Sequence, residues 1–243
     1  MTNCKRGHLH PITQIIQEIN TIFYALGFEV AYGPEIESEY YNFDALNIPK
    51  NHPARGMQDT FWVKNKENTV MRTHTSNVQI RYMENNKPPL RIIVPGKVFR
   101  NEATDATHET QFYQLEGFMV DEVTTLGTLK GVLKIFLEKF FNKKIDIRFR
   151  PSFFPFVEPG IEVDISCFKC GGKGCSICKN SGFIEALGAG MIHPNVLKNV
   201  KIDSEKYQGF AFGVGIDRLG MLKYGIDDVR LFYSGDLRFI QQF

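Results

Sequence analysis

Four of the five cysteines, Cys167, Cys170, Cys175 and Cys178, lie within twelve residues as two Cys-x-x-Cys turns. Each such turn presents two thiolates, so a tetrahedral Cys4 zinc site is the leading reading. Four residues, Gly-Gly-Lys-Gly, link the turns. That is shorter than the usual zinc-ribbon spacing, and an iron–sulfur cluster or metal-free thiols are the alternatives. Residues 1–6 hold no hydrophobic signal segment, so a disulfide frame is not the expectation, and a cytosolic protein is. Cys4 reads as an ordinary free thiol.

A second set of residues fits phosphate and nucleotide chemistry. Neither a Gly-x-x-x-x-Gly-Lys-Ser/Thr loop nor a Gly-x-Gly-x-x-Gly after a first strand is present. Instead Arg100 and Glu102 stand two apart, which on a strand puts them on one face. A guanidinium fork matches a phosphate, and a carboxylate accepts from a base amino group. His108 follows in a loop, then Phe112, Gln114 and Glu116, the last two again sharing a face. An exposed salt-bridge hairpin would explain the same residues without function. Gly213-Val-Gly215-Ile-Asp-Arg218 reads as a strand-to-helix junction, with Arg218 in the first helical turn, where a polyphosphate can meet it. A glycine turn followed by a surface arginine is the plain alternative.

The elements that must position these residues follow from periodicity. Residues 1–10 read as a lead-in. Ile12, Ile15, Ile16, Ile19, Ile22, Phe23 and Leu26 recur at helical spacing from Pro11, and Gly27 stops the helix. Residues 28–32 alternate as a strand, and 35–60 read as loop. Strands are expected at 90–99, interrupted by Pro95-Gly96, and at 112–120, 145–150, 161–165 and 210–214. Helices are expected at 126–141 and 216–224. Few strands are joined by helices, so the fold class is α+β on an antiparallel sheet, with 11–243 as the domain and 166–182 as an inserted cysteine knuckle.

Composition bounds the partners. With 29 Lys+Arg against 27 Asp+Glu in 243 residues, the net charge of +2 gives no general attraction to nucleic acid; contact needs a local patch. No apolar run nears the ~20 residues that span a bilayer, so no membrane partner is expected.

Taken together the pieces resemble the three ordered motifs of class II aminoacyl-tRNA synthetases: a long helix, strand and Gly-Pro; then Phe-Arg-x-Glu; then Gly-x-Gly-x-x-Arg. Residues 40–46 (Tyr-Tyr-Asn-Phe-Asp-Ala-Leu), 52–62 (His-Pro-Ala-Arg-Gly-Met-Gln-Asp-Thr-Phe-Trp), 72–76 (Arg-Thr-His-Thr-Ser), 150–156 (Arg-Pro-Ser-Phe-Phe-Pro-Phe), 191–197 (Met-Ile-His-Pro-Asn-Val-Leu) and 236–239 (Asp-Leu-Arg-Phe) narrow it. From about residue 8 to Phe243 the chain is similar to the catalytic part of bacterial phenylalanyl-tRNA synthetase alpha subunits.

The resemblance implies an antiparallel sheet flanked by helices, and a reaction in which L-phenylalanine and ATP form an adenylate whose acyl group passes to tRNA(Phe). It implies that Arg100, His108 and Arg218 serve the chemistry, Arg100 clamping the α-phosphate while His108 and Arg218 hold the far phosphates. Glu102 would accept from the adenine amino group and Phe112 would stack on the ring. Trp62, His74, Ser76, Gln114 and Glu116 would surround the ammonium and carboxylate of phenylalanine. Phe154, Phe156 and Ala211 would form the side-chain pocket. Mg2+ would accompany ATP, with Glu158 as a further ligand, and zinc on the knuckle would be structural. Partners would be tRNA(Phe) and a beta subunit in an α2β2 assembly. A phenyl pocket cannot reject tyrosine by apolar contact alone, and editing is expected in that beta subunit.

Some features depart from the family. Tyr113 stands where many relatives carry histidine, Asn77 where proline is frequent, and Ser234-Gly235 where a more polar pair occurs. Relatives carry an N-terminal coiled-coil arm that the chain as given does not include, from a trimmed or a naturally short form. A truncated paralogue acting as a binding or regulatory module is therefore the second reading, and an amino-acid ligase with a different acceptor the third. The presence of Arg100, Glu102, His108, Phe112 and Arg218 favours retained catalysis.

Overall fold

The structure is a computed structural model that describes residues 7–176 and 178–243; Cys4 and most of the predicted lead-in lie outside them. Helix α1 (Pro11–Tyr24) starts where the His10 ring accepts the Ile12 amide at 3.2 Å, with proline at the first helical position. It stops where Gly27 takes φ +79°, the left-handed conformation that glycine tolerates. Its isoleucine stripe, Ile12, Ile15, Ile19 and Ile22, is buried with Phe23.

In chain order there follow β1 (Glu29–Val30), β2 (Ile36–Ser38), α2 (Glu39–Asn42), β3 (Thr69–Met71), α3 (Asn77–Asn85), β4 (Leu90–Phe99), β5 (Gln111–Asp121) and α4 (Leu126–Phe141). The second half holds β6 (Ile147–Phe154), β7 (Val157–Ser166), β8 (Phe183–Ile192), α5 (Pro194–Asn199), β9 (Gln208–Gly215), α6 (Ile216–Tyr224) and α7 (Leu237–Ile240). Seven strands form one sheet in the order β1-β4-β5-β9-β8-β7-β6. Only β1 and β4 run parallel; every other pair is antiparallel.

The helices at 126–141 and 216–224 fall on their expected bounds. Other expectations need correction. The strand at 28–32 shortens to Glu29–Val30. The stretch 35–60 is not one loop but holds β2, α2 and the 3-10 turns Asp44–Leu46 and Pro53–Arg55. Strand β4 runs unbroken through Pro95, because β1 covers only Ile92 and Ile93 and leaves the outer edge open at the proline. Periodicity does not reveal helix α3 or strand β8. The first has a polar sequence, and the second carries Gly188 and Gly190, which weaken its apolar alternation.

Two cores share the sheet. Leu115, Met119, Phe210, Phe212 and Val214 face α1, α4 and α6, packing on Phe23, Leu133 and Leu219. Phe118, Val120 and Ala211 face the other way, onto Val78, Ile80, Leu46 and Val196. Because successive side chains of a strand alternate, Gln114 and Glu116 of β5 lie on the second face with Phe118. That face carries the cleft.

Candidate active site

The central strands leave a lane of small residues on the second face. Register sets Gln114 opposite Gly215, Glu116 opposite Gly213 and Phe118 opposite Ala211. On the other flank of β9, Gly213 pairs with Gly188 and Ala211 with Gly190. A Cβ at Gly213 would stand 3.0 Å from Glu116 Oε2 and 3.2 Å from Gln114 Nε2. Glycine there is what lets both polar side chains lie over the neighbouring strand. The floor of a cleft of about 630 Å3 is thus open, and Gly188, Ala211, Gly213 and Gly215 line it.

Glu116 lines the cleft above Gly213 and is only 3 % exposed. Gln114 Nε2 donates to its Oε2 at 3.1 Å, and Gln79 Nε2 of α3 donates to its Oε1. Burial outweighs these donors and the Ser76 hydroxyl, and pushes the carboxyl up to about 8. His74 also lines the cleft, and neither ring nitrogen has a partner. Burial first, and then the nearby Arg100 charge, hold its pKa down to about 3, so the ring is neutral at working pH. Phe154 and Phe156 line the apolar end, their rings stacked at 6.0 Å and 21° across the β6–β7 hairpin.

A second lobe of about 650 Å3 shares Arg100, Glu102, Phe112 and Gly215 with the first. Arg100 lies just past β4. Its Nε donates to Thr73 O at 3.2 Å, its Cζ sits 5.1 Å over the Phe112 ring, and Nη1 is 4.0 Å from Glu102 Oε1. His108 lies in the β4–β5 connection, its Nδ1 2.9 Å from Asp105 Oδ2. The His108 ring, with the Thr107 donors and the His108 amide, holds Asp105 ionised well below the usual carboxylate range. That contact leaves Nε2 of the ring for a ligand. Arg218, exposed in the first turn of α6, donates from Nη2 to Glu185 O at 3.0 Å. His108 and Arg218 both line the second lobe.

Of the residues singled out from the sequence, His74, Ser76, Gln114, Glu116, Phe154, Phe156 and Ala211 meet in the first lobe, His108 and Arg218 in the second, and Arg100, Glu102 and Phe112 between them. Two stand elsewhere. Trp62 does not line the cleft; its indole N–H donates to Arg55 O at 3.2 Å. Glu158 follows the lining residue Val157, but its exposed carboxylate pairs with His193 Nε2 at 3.2 Å. Tyr113 points to the opposite face from Gln114, its amide donating to the buried Asp217. The side-chain amide of Asn77, at the start of α3, is buried without a partner.

The knuckle fills the β7–β8 connection. All four sulfurs lie within 4.8 Å of one another. Cys167–Cys175, Cys170–Cys178 and Cys175–Cys178 are 3.8, 3.8 and 3.7 Å apart. Tetrahedral Zn–S bonds of about 2.3 Å require sulfurs about 3.8 Å apart, which these three pairs meet, so the cluster fits a tetrahedral metal site. The Gly174 and Cys175 amides donate to Cys170 Sγ and Cys178 Sγ at 3.2 and 3.1 Å, which stabilises thiolate charge.

A family profile described as tRNA synthetases class II core domain (F) matches residues 1–243. The phenylalanine–tRNA ligase alpha subunit of Caldanaerobacter subterraneus subsp. tengcongensis is 58% identical over 239 residues, covering 98% of this chain and 70% of that protein. The chain belongs to the phenylalanine–tRNA ligase alpha-subunit family. The alpha subunit of Anoxybacillus flavithermus is 57% identical over 241 residues, with the same two coverages. Among solved structures, pyrrolysyl-tRNA synthetase from Desulfitobacterium hafniense superposes with a TM-score of 0.70 at 17% identity, over 96% of this chain and 76% of that one, which shows a shared fold. For this alpha-subunit family member, sequence reading missed Gln79 and the β8 glycines. Gln79 sits on a polar helix, and only the strand pairing gives Gly188 and Gly190 a role at the cleft.

Proposed function

We propose that the chain is the catalytic alpha chain of a phenylalanine–tRNA ligase, which activates L-phenylalanine with ATP and transfers it to tRNA(Phe). The observation that carries this is the continuity of the two lobes through Arg100 and Phe112. One end is a stacked-phenylalanine pocket floored by Ala211, beside a buried carboxylate. The other is a polar lobe where Arg100, His108 and Arg218 stand among the carboxylates of Glu102, Glu109, Asp217 and Asp227.

Adenylation needs a carboxylate oxygen to attack the α-phosphorus in line. A new O–P bond forms, the bond to the bridging oxygen breaks, and pyrophosphate leaves. Both reactants are anions, so positioning and charge neutralisation do the catalysis. Arg100 spans the lobes and meets both the substrate carboxylate and the α-phosphate. Phe112 stacks on adenine, Glu102 accepts from its amino group, and His108 and Arg218 hold the distal phosphates. Glu116, whose burial favours the protonated form, releases its proton to solvent and becomes a carboxylate when the substrate ammonium binds beside it. Gln114 and Ser76 orient that end, and neutral His74 presents ring nitrogens free for the substrate. Trp62 acts at one remove, by holding the segment that carries Arg55. In the second step a ribose hydroxyl of the terminal adenosine attacks the acyl carbon and AMP leaves.

Mg2+ belongs to this reading as the counter-ion of ATP; such ions need only one or two carboxylates besides phosphate, and Glu158 offers one. Zinc on the knuckle is structural. A beta subunit in an α2β2 assembly, tRNA(Phe), and a cytoplasmic setting complete the reading. Among the described residues no helix is long and apolar enough to cross a membrane.

The test is phenylalanine-dependent pyrophosphate exchange, with the chain alone and with a bacterial beta subunit. Exchange that Arg100→Ala abolishes supports the proposal. A folded protein that binds phenylalanine but catalyses no exchange in either setting would favour the regulatory-module reading.

A further inference from the structure

The second lobe has a wall that the proposed chemistry does not use. Cys167, Phe168 and Lys169 line it together with Arg100, His108 and Arg218. These three residues come from the first turn of the cysteine knuckle. The knuckle therefore reaches the cleft rather than standing apart as a surface appendage.

Both inner residues of the first Cys-x-x-Cys turn line the lobe, and Phe168 is also anchored in the core. Phe168 is partly buried and packs on Phe141 at the end of α4, ring centroids 4.4 Å apart. Lys169 is exposed, lines the lobe, and forms no ion pair among the described residues. The turn is pinned at both ends. The Cys167 amide donates to Gly182 O at 2.9 Å and the Gly171 amide to Cys167 O at 2.9 Å. The sulfurs of Cys167 and Cys170, on either side of Lys169, both lie in the four-thiol cluster. A metal held there fixes the backbone that carries the lysine.

We propose that Lys169 is a further nucleotide-contacting residue, placed against the polyphosphate of ATP by the metal-bound knuckle. Resting on the ATP-dependent reading above, this makes the knuckle part of the nucleotide site. Arg100 and Arg218 bring cations to the lobe from the end of β4 and from α6, and His108 brings a ring nitrogen from the β4–β5 connection; Lys169 adds a cation from the knuckle. An ammonium without an ion-pair partner among the described residues meets an anion without giving up an existing contact. Loss of the metal would free the turn and weaken ATP binding without touching the phenylalanine pocket, which lies in the other lobe.

The experiment measures equilibrium ATP binding, phenylalanine KM and metal content on the chain assembled with its beta subunit. Wild type is compared with Lys169→Ala, Lys169→Arg, Lys173→Ala, Cys170→Ser and Arg218→Ala. Lys173 lies on the same knuckle but does not line the lobe. Lys169→Ala is expected to raise the ATP Kd about 3- to 5-fold, the size of one solvent-screened charge contact. Its metal content and phenylalanine KM stay unchanged. Lys169→Arg restores binding, and Lys173→Ala matches wild type. Cys170→Ser loses metal and weakens ATP binding at least as far as Lys169→Ala. An unchanged ATP Kd in Lys169→Ala, alongside weakened binding in Arg218→Ala, overturns this inference and leaves the ATP reading standing. Wild-type protein that is folded and binds no ATP overturns both.

Discussion

Glu116 shows what burial of one carboxyl costs and what it is for. Burial pushes its pKa up to about 8 in the folded chain, against the ordinary 4.5 of an exposed glutamate. Between those values the folded chain holds a proton that the unfolded chain has released, so stability falls as pH rises from about 4.5 to about 8. Glu116→Gln removes that titration. The expected outcome is a variant whose Tm exceeds that of wild type by a margin that widens from pH 5 to pH 8, read by thermal melts. The same variant should lose phenylalanine binding, because an amide cannot become the counter-charge of the ammonium. Equal pH dependence in both proteins would show that Glu116 does not titrate in this window. Ala211 makes a steric prediction. It is 4 % exposed on the cleft floor opposite Phe118. Ala211→Val should raise the KM for phenylalanine at least tenfold and leave that for ATP within about twofold, because added bulk falls in the first lobe only.

Elements depend on contacts that single residues do not reveal. Gly117 of β5 lies under the Phe212 ring of β9, and a Cβ there would overlap the ring carbons directly. Gly117→Ala must displace a buried aromatic in the central strand pair, and overpacking of this kind costs about 1–3 kcal/mol. Denaturant unfolding is the measurement, and an unchanged midpoint would show that the sheet yields at that point. The knuckle offers a parallel case. Gly182 has φ +76°, and a Cβ on it would strike Gly172 O. Gly182→Ala should lower metal content, measured by atomic absorption, while the far-UV circular dichroism of the whole chain stays close to that of wild type.

The whole molecule is one sheet between two cores. Strand β9 contributes Phe210, Phe212 and Val214 to one side and Ala211 to the other. Neither core can lose its packing while β5 and β9 keep theirs. Leu133→Ala on the first side and Ile80→Ala on the second should each cost about 2–5 kcal/mol. Both should move one cooperative transition rather than split it, seen as coincident melts by near- and far-UV circular dichroism. Two separated transitions would mean that the sheet does not couple the cores.

The sequence by itself determined the local elements whose side chains repeat with a clear period. Helices α1, α4 and α6 declare themselves through stripes of isoleucine, leucine and phenylalanine, and the cysteine spacing declares the thiol cluster. The pair Arg100 and Glu102, His108, and the glycines before Arg218 suited nucleotide chemistry and equally an exposed hairpin and a glycine turn; the resemblance to class II synthetases, carried by many separate words of sequence, decided between them. Tertiary structure alone decided the rest. The glycines of β8 and β9 acquire meaning only in register, where Gly213 makes room for Glu116 and Gln114. Gln79 reaches Glu116 from a helix 37 residues away in sequence, and no local period records such a meeting. The resemblance implies Trp62 and Glu158 as site residues; in the fold their side chains contact Arg55 O and His193. Lys169 had no local signal at all. Which face a strand presents, and which loop folds over that face, is fixed by pairing between distant segments; that is why the chemistry could be read from residue types and the shape of the cleft could not.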